Sequence, residues 1–417
     1  MNIFEKVDNY LVENKDKWIR WGGELATMPE YGFCEVKTSA YIREKLEELG
    51  ITDIKETAVT GLIARLPGRA HKGTAAYIGE LDGIYSPENE TADPETGVSH
   101  ACGHNIQTTA LLALAEAFVK TGAMEELDGD LLLMAVPAEE NTPTDILERL
   151  KAEGKISEDC GKREMMKHHD FDGIDAVIGS HSLEDYPGVK NLVMVNSSCH
   201  GQEIYRFEFK GKAAHSTVCP EKGINALNAV VNAINGIQAV REYFPPEESI
   251  RVSYNIVEGG HNIGSIVDYA VLDVVAAARS MEGLGWVIKQ IIKACENGAS
   301  MTGCKLEYRM TSRYKPYVVD DSLLEVIKEN ATKITGCETK TRPHNYFSND
   351  LGDVSQMIPT AQIVYGGCEG DLHSPEFRIT DEEDSFVNPA RVTASTLIDL
   401  LSKDCEKLVK IREGFRK

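Results

Sequence analysis

The order of apolar patterns predicts an α/β protein: a larger domain with a mostly parallel sheet flanked by helices, plus an inserted ferredoxin-like α+β domain. Three observations carry this. Short, fully apolar runs recur between helical stretches, at 75–79, 131–136, 176–179 and 361–366, and such runs are buried strands. Between 200 and 311 the pattern changes to half-exposed alternation. Finally, 417 residues are too many for one hydrophobic core.

Taken in order, residues 4–26 carry helical spacing, and 39–49 do so again before Gly50, a common helix terminator. The run 75–79 is a buried strand that leads into Asp82, and 106–119 is an apolar helix. The run 131–136 leads to Glu139 and Glu140, and 176–179 to Ser180 and His181. From 204 to 210 Ile, Tyr, Arg, Phe, Glu, Phe and Lys follow one another as on a half-exposed strand. A helix over 224–244, strands over 250–257 and 269–278, a helix over 283–297 and a strand over 305–311 complete the order β-α-β-β-α-β of a ferredoxin-like unit. Helix and strand alternation resumes at Ser322, so the domains are expected at 1–199 with 312–417, and at 200–311.

Composition excludes several partners. A net charge of -22 repels nucleic acid and anionic membrane surfaces. Nothing approaches eighteen consecutive apolar residues, and Met1 to Lys6 show no cationic segment before an apolar run. The ten cysteines form no C-x-x-C pair, which reads as reduced thiols. A cytoplasmic protein is expected.

In open α/β sheets ligands collect beyond the carboxyl ends of the strands. Asp82, Glu139, Glu140, His181 and His373 all follow apolar runs in this way. Cys102 and His104 flank Gly103 just ahead of the apolar helix, so both side chains can face one side, as a chelating pair requires. Each alone has an ordinary explanation, since free cysteines and lone histidines are mostly core residues and a glutamate pair is mostly solvated surface. Jointly, Cys102, His104, Glu140, His181 and His373 offer soft, borderline and hard donors in a number suited to two divalent ions. Zinc, manganese and cobalt are all open.

The runs Ser99-His100-Ala101-Cys102-Gly103-His104, Pro137-Ala138-Glu139-Glu140, Gly211-Lys212-Ala213-Ala214-His215-Ser216 and Asp371-Leu372-His373-Ser374-Pro375 resemble metallopeptidase family twenty. Within it the similarity is to the amidohydrolase branch of hippurate, auxin-conjugate and aminobenzoyl-glutamate hydrolases. Met28-Pro29-Glu30 with Thr38-Ser39, Gly79-Glu80-Leu81-Asp82-Gly83 and 348–355 add to it, so the likeness spans nearly the whole chain.

The resemblance implies a dinuclear centre that hydrolyses an amide beside a free carboxylate, and a lid domain that also forms a homodimer. The substrate implied is a small N-acyl amino acid or dipeptide. Cys102, His104, Glu140, His181 and His373 match the metal ligands, Glu139 the general base, and His215 the donor to the developing oxyanion. Asp82 is expected to orient a ligand histidine.

Departures are local. Asn105 stands where aspartate is usual, and Asn262-Ile263-Gly264-Ser265-Ile266-Val267-Asp268 replaces an Asn-x-Ile-Pro-Asp signature. Arg279, expected with Asn262 to bind the substrate carboxylate, lies eleven residues after Asp268 instead of nine, which is one strand period. Two other readings use the same residues. One is a cysteine hydrolase with Cys102 as nucleophile and His104 as base, and the other a non-catalytic metal-containing binding or regulatory protein.

Overall fold

The computed structural model describes residues 1–415 except 141, 185 and 187. Its contacts divide the chain into two units, Met1–Ser197 with Val318–Pro343 and Asp353–Lys417, and Ser198–Tyr317 with His344–Gly352.

The first unit is built on an eight-stranded sheet in the order Ile54–Thr57, Gly61–Leu66, Asp130–Val136, Thr74–Glu80, Ala176–Ser182, Thr360–Tyr365, Val193–Asn196, Lys340–Arg342. The four central strands run parallel. Gly61–Leu66 and Val193–Asn196 are antiparallel to their inner neighbours. Strands buried on both faces need no alternation, and Ala75, Ala76, Tyr77 and Ile78 are all buried. The helix His104–Lys120 packs on this sheet and is buried over most of its circumference. That explains why its sequence is apolar throughout instead of striped.

The predicted helix over 4–26 is two helices, Ile3–Glu13 and Lys15–Ala26. Asn14 separates them: its side-chain amide donates to the Tyr10 carbonyl at 2.8 Å and stops the first helix. Gly50 sits at φ +79° just after Val36–Glu48, in the left-handed conformation that ends helices.

The second unit is a four-stranded antiparallel sheet in the order Arg251–Glu258, Tyr269–Ala278, Gly201–Lys210, Lys305–Tyr314. The helices Ala226–Val240 and Met281–Thr302 connect its strands, and their apolar stripes share one core with Phe207, Phe209, Leu272 and Val274. This is ferredoxin-like strand order. The unit is wider than the expected 200–311. Its last strand continues to Tyr314, opposite Gln202, and the segment His344–Gly352 returns to it through Ser198 Oγ and His344 Nδ1, 2.8 Å apart. Among the described residues no helix is long and apolar enough to cross a membrane.

Candidate metal centre

Parallel pairing brings the carboxyl ends of three central strands to one edge, with Glu80 opposite Val136 and Ile78 opposite Gly179. Residues just beyond those ends are therefore neighbours in space. His181 itself lies inside the strand Ala176–Ser182, which runs three residues beyond the apolar run 176–179. Gly103 has φ +79°, and a Cβ there would lie 2.9 Å from Ser182 Oγ, so the turn between Cys102 and His104 requires glycine.

Cys102 Sγ lies 3.4 Å from His181 Nε2. Glu140 Oε1 lies 3.1 Å from His373 Nε2. His104 is fully buried, and its Nδ1 meets Asp82 Oδ1 at 3.2 Å and the Asp82 carbonyl at 2.9 Å. Those acceptors fix a proton on Nδ1 and, against burial, the surrounding carboxylates favour a second on Nε2; a cation bound there would take the place of that second proton. Nε2 is 3.9 Å from Glu139 Oε2 and 4.0 Å from Glu140 Oε1, and it forms no hydrogen bond among the described residues. Asp82 also accepts the Glu140 amide at 2.8 Å, so one carboxylate braces both a histidine and the glutamate pair. His373 is about half exposed, with φ +65°, and its amide donates to the Ala101 carbonyl at 2.8 Å.

Three charged residues here are not among the sequence candidates. Glu80 Oε2 is 3.3 Å from His104 Nε2 and accepts from Gln107 Nε2 at 2.8 Å, while its other oxygen takes the ammonium of Lys162 at 2.5 Å. Burial opposes the charge on Glu80, yet Lys162 and His104 hold it down at about 2. Lys162 is wholly buried, although its surroundings Gly161-Lys162-Arg163-Glu164 look like solvated helix. Glu35, also fully buried, accepts the Ala138 amide at 2.8 Å and the Thr60 hydroxyl at 2.5 Å. Burial and the charge of Asp82 push it up to about 8.

The donor set suits divalent cations. Cys102, His104 and His181 form one group of potential ligand atoms lying within 4.8 Å of one another, Cys102, Glu140 and His373 a second, and Glu80, His104 and Glu139 a third. Cys102 is common to the first two groups, as a thiolate shared between two ions would be. Burial and the Glu140 and Glu139 charges push its thiol well up, whereas a cation would reverse that balance. The imidazole that meets Cys102 Sγ is that of His181, at 3.4 Å, whereas His104 Nε2 faces the carboxylates of Glu80, Glu139 and Glu140, so the geometry does not single out His104 as a base for Cys102.

The remaining candidates belong to the second unit. His215 is exposed, and its Nδ1 accepts from the Thr217 and Val218 amides at 3.3 Å, so a neutral ring carries its proton on Nε2. Asn262 Oδ1 accepts the Gly264 amide at 2.8 Å. Arg279 is exposed, its amide bonded to the Glu248 carbonyl at 3.0 Å, and its charge acts on His200 and His344. Asn105, where an aspartate was expected, donates to the Gly22 carbonyl at 3.2 Å, which a carboxylate could not do.

A central parallel sheet whose strand ends gather a thiol, three imidazoles and a set of buried carboxylates defines an α/β protein with a candidate metal centre. The chain belongs to Peptidase family M20/M25/M40, whose profile matches residues 76–399. It is 26% identical over 375 residues to the N-acetylcysteine deacetylase of Bacillus subtilis, covering 86% of this chain and 90% of the relative. It is 24% identical over 370 residues to the IAA-amino acid hydrolase ILR1-like 4 of Arabidopsis thaliana, covering 85% and 79%. Among solved structures, Bacillus subtilis YXEP protein, described as a dinuclear metal binding peptidase, superposes with a TM-score of 0.73 at 22% identity, covering 93% of this chain and 98% of that one. The aminobenzoyl-glutamate utilization protein of Klebsiella pneumoniae gives 0.70 at 18%, covering 94% and 98%.

Proposed function

We propose that this protein hydrolyses the amide bond of a small N-acyl amino acid, an aminobenzoyl-glutamate-like conjugate or a dipeptide, using two divalent ions held by Cys102, His104, Glu140, His181 and His373. The observation that carries this is the sharing of Cys102 between two neighbouring ligand groups, with Glu139 Oε2 3.9 Å from His104 Nε2. The deacetylase and the IAA-amino acid hydrolase among the relatives are both named for acylated amino acids.

The ions, when bound, lower the pKa of a water and polarise the scissile carbonyl. Glu139 takes the water's proton and passes it to the leaving nitrogen. Asp82 keeps His104 in the tautomer that offers Nε2. His215 donates from Nε2 to the charge that develops on the carbonyl oxygen, and Arg279 with Asn262 binds the substrate carboxylate. In a homodimer the His215 of one chain serves the site of the other.

The test is metal analysis of the purified protein with a screen of N-acyl amino acids, aminobenzoyl-glutamate and dipeptides, in which Glu139→Gln is run beside the wild type. Glu139→Gln should keep its metal and lose turnover by on the order of 10²–10⁴-fold. A mutant with most of its activity removes Glu139 as the base. A metal-replete wild type inactive on the whole panel leaves a metal-containing binding protein.

A further inference from the structure

Glu139 is carried by a turn whose geometry is unfavourable on its own. Ala138, the residue before it, has φ +48°, a left-handed conformation that a Cβ disfavours. Such a backbone persists only where its surroundings over-determine it.

Here three hydrogen bonds do so. The Ala138 carbonyl accepts the Gly161 amide at 2.9 Å. The Ala138 amide donates to Glu35 Oε1 at 2.8 Å, and the Glu140 amide to Asp82 Oδ2 at 2.8 Å. Packing closes the turn from both sides. A Cβ on Gly32 would lie 2.8 Å from Ala138 Cα, and one on Gly161 would lie 1.7 Å from the Pro137 carbonyl oxygen.

Of the three anchors only Glu35 is an acidic side chain with no contact to a proposed metal ligand. It lies 103 residues before Ala138, is wholly buried, and has its second oxygen fixed by Thr60. Burying a carboxyl group is costly, and a single amide needs no more than one acceptor oxygen. A carboxyl supplies two oxygens at a fixed separation, so anchoring one on Thr60 aims the other at the Ala138 amide. That aim is set one residue from the proposed proton acceptor.

We infer that Glu35 is a positioning residue for the hydrolytic step: by holding the Ala138 amide it fixes the left-handed turn, and with it the direction in which Glu139 presents its carboxylate. It touches neither the substrate nor a ligand, and acts only through the backbone. The inference rests on Glu139 being the base.

The experiment uses the full chain loaded with zinc or manganese, and the N-acyl amino acid that the wild type cleaves best in the screen above. Glu35→Leu, Glu35→Gln, Thr60→Val and Glu139→Gln are compared by kcat and KM per metal-loaded site, metal content, and hydrogen exchange at the Ala138, Glu139 and Glu140 amides. Glu35→Leu should lower kcat by about 10- to 100-fold, as a misplaced catalytic group does, with KM and metal content unchanged and the turn amides exchanging faster. Glu35→Gln retains an oxygen for the Ala138 amide and should recover most of that loss. Thr60→Val leaves the carboxyl but not its orientation, and should fall between them; it stands in for Glu35→Leu if that variant does not fold.

A structural role alone would lower the melting temperature and the metal-loaded fraction while leaving kcat per loaded site as in the wild type. That result in Glu35→Leu, or in Thr60→Val where Glu35→Leu does not fold, overturns the inference. So does Glu35→Gln being as impaired as Glu35→Leu. Full activity in Glu139→Gln instead overturns the reading on which it rests.

Discussion

The strand-end residues of the first unit and the candidate substrate contacts of the second are held in different ways. Around His104, ionisable groups find partners distant in sequence: Asp82 braces it, Lys162 neutralises Glu80, and Glu35 reaches Ala138. The side chains of His215 and Asn262 are bonded within three residues of themselves, and Arg279 is exposed. Buried charge is tolerated only when paired and hydrogen-bonded, so the first arrangement permits few changes. Exposed groups carry no such constraint. The displacement of Arg279 by two residues and the loss of the Asn-x-Ile-Pro-Asp signature therefore fall where the fold can absorb them. On the proposed reading, the groups that carry the reaction lie in the constrained first unit and the candidate substrate contacts in the more permissive second.

The largest effects should come from breaking the first arrangement. His104→Ala and Glu140→Gln should each lose bound metal and activity together, because a ligand is removed from a buried set. Metal content measured on the purified variants decides it: unchanged content in both would make the cluster an ordinary buried network, and the contrast between the units would vanish.

A smaller effect is expected from the second unit. His215→Ala should retain its metal and lose turnover by about 10²–10³-fold, the scale of one lost oxyanion donor. The contrast sharpens when it is mixed with Glu139→Gln and the subunits are exchanged. If each site is built from Glu139 of one chain and His215 of the other, heterodimers contain one intact site, and by two-fold counting activity returns to about a quarter of wild type. No recovery after demonstrated exchange would place His215 in its own chain's site or outside the reaction.

The central strands and the residues at their ends were legible in the sequence for a physical reason. Strands buried on both faces, such as Thr74–Glu80 and Asp130–Val136, must be apolar along nearly their whole length, and the parallel sheet then places the residues just past each strand at one edge. Short edge strands such as Ile54–Thr57 and Lys340–Arg342 lack that signature, and none was expected there. Glu35 and Lys162 were missed because their meaning is non-local. Glu35 sits in a short loop between two helices and Lys162 in a polar stretch, and only the fold reveals that one meets an amide 103 residues away and the other a carboxylate 82 residues away. Glu80 had a weak signal, since it lies one strand period before Asp82 at the end of an apolar run. The break at Asn14 was hidden by helical spacing that continues across it.

The smallest expected effect compares the two units by their pH response. Glu35 has its carboxyl pushed from the ordinary 4.5 up to about 8, by burial and then by Asp82. Between these values the folded state keeps a proton that the unfolded chain has released, so this group's contribution is complete below pH 4.5 and is lost as the pH rises through about 8. In the second unit the sign is opposite. Glu307 is exposed and held at about 2 by Lys210 and Lys305, so its contribution is present above pH 4.5 and fades as the pH falls towards 2; screening by solvent keeps it small. Hydrogen exchange, corrected for intrinsic rates and followed between pH 4.5 and about 8, should show protection falling with pH in Thr74–Glu80 and no fall from Glu307 in Tyr269–Ala278. Glu35→Gln cannot ionise, and should flatten the profile of the first strand alone. An unchanged slope in that variant would mean that Glu35 is already charged in the folded protein at neutral pH, with the Ala138 amide and the Thr60 hydroxyl outweighing its burial.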